Sequence, residues 1–95
     1  MKIKYKKLKD FGLTKEAQIQ TAKLIFMEEV LERMEQIDMS RSELACKLKC
    51  KPSFITKLLD GRNNFTFATA VRVAMALNMK FIPILTHANK KQSIH

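Results

Sequence analysis

The chain has 95 residues, 46% of them hydrophobic and 28% charged, and carries a formal net charge of +9. That length supports one small hydrophobic core and excludes a second domain. No apolar run approaches the ~18 residues a membrane span needs, and the basic start lacks an apolar signal core, so a cytoplasmic protein is expected.

The charge is segregated. Residues 1–10 are net +4, residues 11–39 net −3, residues 40–64 net +4, and residues 65–95 carry four basic groups and no acid. An acidic stretch between basic ones points to a polyanionic partner met by particular surfaces. The two cysteines, Cys46 and Cys50, read as free thiols in a chain without a secretory signal.

In chain order, "MKIKYKKLK" alternates Ile3 and Tyr5 against lysines, the period of a half-buried strand, with a basic arm as the competing reading of residues 1–11. Gly12 interrupts, and Thr14 is a suitable N-cap with Glu16 in the first turn. Over residues 15–37, Ile19, Ala22, Phe26, Val30, Met34 and Ile37 recur at spacings of three and four, one face of a long helix. Leu24, Met27 and Leu31 widen that stripe enough to include a dimer seam. Next comes "MSRSELACKLK", where Ser40 and Glu43 have the spacing of a capping box and Leu44, Ala45 and Leu48 form the buried side. Pro52 suits a first helical position, Ile55, Leu58 and Leu59 face inward, and Gly61 ends that helix. After a polar loop, Thr66 opens a helix with Phe67, Ala70, Val71, Ala74 and Leu77 as its apolar side, stopped near Asn78. The run "KFIPILTH", with Pro83 inside it, reads as an edge strand whose natural partner is the N-terminal one. A polar tail follows.

Two short helices joined by a tight basic turn have the outline of a helix-turn-helix, whose second helix enters the DNA major groove. Lys49, Lys51 and Lys57 bring positive charge to that region, where phosphates and guanine acceptors would lie.

Residues 39–77 carry a combination that is similar to the phage-repressor (Cro/CI-type, Xre) helix-turn-helix family: Ser40, then Glu43-Leu44-Ala45, Leu48, a turn, Ile55, Leu58-Leu59, Gly61 and a final helix. The segment "LLDGRNNFTFAT" with the run behind it resembles HigA-like antitoxins and their solitary regulator relatives. The resemblance implies a mainly α fold, a four- to five-helix lambda-repressor-like domain at residues 12–79. Its helix-turn-helix would lie at about 40–61, with short N- and C-terminal edge strands and a tail over 80–95. It places the recognition helix at about 52–60. Base contacts are then expected from Lys51, Ser53, Thr56 and Lys57, and phosphate contacts from Ser40, Arg41, Lys49, Arg62, Asn63 and Asn64. Two departures stand out, since Asp38 and Lys49 occupy positions where the family commonly has glycine. A lysine at positive φ would carry ~1–2 kcal/mol of strain, and an aspartate less.

The function expected is a sequence-specific regulator, a repressor acting as a homodimer on a palindromic operator in double-stranded DNA. The alternative is an antitoxin that also holds a cognate toxin protein. A third reading is a helical interaction domain whose basic patch meets an acidic protein. No enzyme is expected. Cys46 and Cys50 lack further ligands for a metal, Glu28, Glu29, Glu32 and Glu35 read as a solvated face, and Gly12 and Gly61 alone cannot build a phosphate loop. Nothing calls for a cofactor.

Overall fold

Each helix begins where the sequence places a hydroxyl or a proline, and each ends at a residue that can turn left-handed. The computed structural model describes residues 14–61 and 64–87. Four helices run through them: α1 (Lys15–Gln36), α2 (Arg41–Leu48), α3 (Pro52–Leu59) and α4 (Phe67–Ala76). The described chain is thus mainly helical. None of these helices is long and apolar enough to cross a membrane. The predicted N-terminal strand or arm at 1–11, Arg62, Asn63 and the tail beyond residue 87 lie outside the described residues.

The Thr14 hydroxyl accepts from the Ala17 N–H at 3.1 Å and opens α1. At α2 the full capping box forms, with the Glu43 N–H donating to Ser40 Oγ at 3.1 Å and the Ser40 N–H to the Glu43 carboxylate at 2.7 Å. Thr66 caps α4 through the Thr69 N–H. Three of the helix ends share one device. Asp38, Lys49 and Asn78 all have φ between 55° and 63°. In each case the next residue's N–H reaches back over the last turn: Met39 to the Met34 carbonyl, Cys50 to Ala45 and Met79 to Ala74. This is the Schellman arrangement, which satisfies carbonyls the helix leaves open. Gly61 closes α3 at φ 76°, and a Cβ there would stand 3.3 Å from Met27 Sδ. Positive φ and close approach by α1 both ask for glycine at that point.

The core gathers Val30 and Met34 from α1, Leu44, Ala45 and Leu48 from α2, Ile55, Leu58 and Leu59 from α3, and Val73 and Leu77 from α4. Leu44 and Ile55 expose nothing. Truncating either to alanine costs ~2–5 kcal/mol. α2 packs chiefly on α3, also on α4, and α1 meets α3. Two arginines tie the layers together at helix ends. Arg72 Nη2 on α4 donates to the Leu48 carbonyl at 2.7 Å, and Arg33 Nε on α1 donates to the Leu77 carbonyl at 3.1 Å.

Three expectations need correction. On α1, Ile19 and Ala22 lie exposed. A helix of 22 residues spans ~33 Å, far more than the ~12 Å of the eight-residue helices it packs on. On α4, Phe67 and Val71 face outward while Val73 takes the buried place. That helix is apolar nearly all round, so periodicity allows either stripe, and packing on α2 selects one. Finally, residues 80–87 form no strand. Among the described residues no segment pairs with them, and a strand exists only against a hydrogen-bonded neighbour. Side-chain packing holds the segment's start instead. Phe81 lies edge-on to Phe26 of α1 at 5.5 Å and to Phe67 at 5.9 Å, and Phe26 stacks at 4.8 Å on Phe65.

Candidate nucleic-acid interface

α3 is the helix on which the candidate residues converge. Its buried side is Ile55, Leu58 and Leu59, locked against α2. The opposite side is set by helical spacing alone: Lys51, Ser53, Thr56 and Lys57 are all exposed. The strength of the inward stripe is what fixes the outward one, because rotating α3 would expose three large aliphatic side chains.

The start of α3 differs from the other three helix starts. Thr14, Ser40 and Thr66 each give a hydroxyl to their helix. At α3 the capping position is Lys51, which makes no side-chain cap hydrogen bond, and Pro52 follows it. A helix N-terminus carries partial positive charge on N–H groups that lack intrahelical partners. Here that end is uncapped, exposed, and preceded by two lysines. Lys49 lies at φ 55° and ψ 46° in the connection from α2, exposed, two residues before Lys51. An anion is the ligand such an end suits.

The remaining candidates sit around this helix. Ser40 and Arg41 are exposed at the start of α2. Ser40 Oγ is already an acceptor in the capping box, so its hydroxyl proton remains to donate. Asn64 is exposed beyond the end of α3, and its Oδ1 accepts from Lys23 Nζ at 3.3 Å. Arg62 and Asn63 lie outside the described residues. Over residues 40–64 the net charge is +4.

One residue of this surface is not legible as a site residue in the sequence: Phe54, 37% exposed on the first turn of α3. Its neighbour Ile55 makes it look like core. Yet it stands about a quarter turn off the Ile55, Leu58 and Leu59 stripe, next to Lys57 around the helix. That angular offset was the available signal. An aromatic edge among lysines adds an apolar contact to an otherwise cationic surface.

Elsewhere among the described residues the surface features are two shallow grooves and two thiols. A shallow groove of about 320 Å³ runs between the α1–α2 turn and α2, lined by Asp38, Met39, Glu43 and Cys46 among others. Its Glu43 carboxylate is committed to the capping box. Cys46 is exposed and Cys50 half-buried against the core. Among the described residues no three His, Cys, Asp or Glu side chains gather as a metal site would require.

No protein-family model, curated protein or solved structure matches the chain, so what this surface does must be read from its own residues and geometry.

Proposed function

We propose that the protein is a sequence-specific DNA-binding regulator, acting as a repressor on a palindromic operator that two copies occupy. The observation that carries this reading is α3 itself. It is held by a buried aliphatic stripe, opens without a cap, and turns Lys51, Ser53, Thr56 and Lys57 to solvent behind Lys49. α2, tightly packed on α3, fits the supporting helix of a helix-turn-helix, and α3 fits the helix that enters the major groove.

Within that arrangement the roles divide by chemistry. Lys51 and Lys57 are suited to guanine O6 and N7, and Ser53 and Thr56 to base edges or the adjoining phosphate. Phe54 is suited to a thymine methyl, the one apolar feature of the major-groove edge. Ser40, Arg41, Lys49 and Asn64, with Arg62 and Asn63, would hold phosphates to either side and set the register.

Selection from a pool of random-sequence duplexes tests the reading. Enrichment of a two-part palindrome is expected, its half-sites about 34–36 Å apart. Lys57→Ala should lose preference at a single position of each half-site while other positions keep theirs. A pool that stays random after repeated rounds sinks base readout by α3, and a Lys57→Ala loss spread evenly over all sequences means that this lysine touches only phosphate.

A further inference from the structure

Most of the large apolar side chains exposed among the described residues lie on α4 and the segment behind it. α4 turns Ala70, Val73 and Ala74 inward, while Phe67, Val71 and Met75 stand one above another at every fourth residue on an outward face. Phe67 and Met75 are 70% and 69% exposed. The chain then reverses at Asn78, and Met79, Ile82, Ile84 and Leu85 extend the same apolar character, Leu85 at 99% exposure. The Phe67 and Phe81 rings, 5.9 Å apart, join the helix stripe to that segment. From residue 67 to 85 only Arg72 and Lys80 are charged, and the Arg72 guanidinium is drawn to the Leu48 carbonyl.

We propose that this face is the seam between two copies of the chain. Seven large, exposed apolar side chains together bare several hundred Å², at least the scale of the roughly 300–600 Å² patch that marks an interaction site on a typical monomer, and a standard interface takes ~800 Å² from each partner. The occupant follows from charge. Two molecules of net charge +9 repel, and residues 67–85 bring only Arg72 and Lys80 to the contact, so two copies meet there with little of that repulsion. A twofold mate brings the identical apolar stripe to the contact, which makes the patch its own complement. The rival face on α1 is poorer. Its exposed apolar residues Ile19 and Leu31 stand 12 positions apart on a helix that also carries Glu28, Glu29, Glu32 and Glu35. The seam deepens the regulator reading, which needs two copies, by saying where they join.

Sedimentation equilibrium on the full chain tests it. The unaltered chain is expected to be dimeric at micromolar concentration. A Val71→Glu, Met75→Glu double variant is expected to be monomeric there, with unchanged far-ultraviolet circular dichroism. A photo-crosslinker placed at position 75 gives a second reading that does not depend on the double variant folding. It should capture residues 67–85 of another copy. An unaltered chain that is monomeric, a double variant that stays dimeric, or a crosslink to the chain's own residues 1–13 or to a different protein overturns the seam. The duplex selection run beside it separates the two ideas. A dimer without sequence preference ends the regulator reading and leaves the seam, whereas a monomer that still enriches a site does the reverse.

Discussion

Lys49 is the residue where local strain and charge coincide. It sits at φ 55° and ψ 46°, a conformation that costs a non-glycine residue ~1–2 kcal/mol, while its N–H and that of Cys50 close the end of α2. Lys49→Gly should therefore raise stability by about 0.5–1 kcal/mol, since glycine removes the strain but gives back some chain entropy on unfolding. Urea denaturation measures this. The same variant should bind DNA more weakly, a combination that a purely structural lysine would not produce. Asp38 and Asn78 adopt the same conformation at lower cost, because short polar side chains tolerate it. These sites were legible in outline, since the resemblance marks Asp38 and Lys49 as glycine positions. Phe54 was not, because an aromatic beside an isoleucine reads as core until helix rotation is known. Phe54→Ala should weaken binding to the selected site by about 1 kcal/mol, on the scale of one mismatched base pair, and leave binding to unrelated duplexes unchanged. Equal loss on both would remove it from base readout.

At the scale of elements, the start and stop signals were the most readable part of the sequence. Thr14, Ser40 with Glu43, Pro52, Thr66 and Gly61 all stand where those residues were expected to begin or end helices. Each acts within three or four residues of itself, so local chemistry suffices. The links between helices were not readable. Arg72 and Leu48 are 24 residues apart, Arg33 and Leu77 44 apart. Nothing local distinguishes an arginine that reaches a distant helix end from one in solvent. Arg72→Met keeps an unbranched apolar stem and removes the donor from a carbonyl at the end of α2. It should lower stability by about 1–2 kcal/mol, as expected for a hydrogen bond from a charged group, measured by urea denaturation. Because that bond anchors the helix preceding α3, the midpoint should fall even though no candidate base contact is touched. No change in midpoint would mean water replaces the guanidinium at no cost.

For the whole molecule, cations concentrate in the α2–α3 region and bare apolar side chains on α4 and residues 79–85, and the two adjoin where Lys47, Arg72, Met75 and Ala76 line one groove. Binding to DNA should then depend on salt in a way that counts copies. With the cationic phosphate contacts Arg41, Lys49 and Arg62 displacing counterions, the log–log slope is roughly −3 for one copy and roughly −5 for two. Titrations between ~50 and ~200 mM salt measure it. A slope near zero would remove phosphate contact altogether.

Residue order alone settled which stretches become helices, where they are capped, and that α3 opens on lysines, because hydrogen bonding and side-chain periodicity within a few residues carry that information. Three things depended on how the chain packs. Val73 rather than Phe67 and Val71 enters the core, because α2 covers one side of a helix that is apolar on both. Residues 80–87 are held by Phe81 between Phe26 and Phe67 and make no strand, because pairing is a property of two segments and not of one. The exposed stripe follows from the same choice, since the side of α4 that loses the competition for the core is the side left bare.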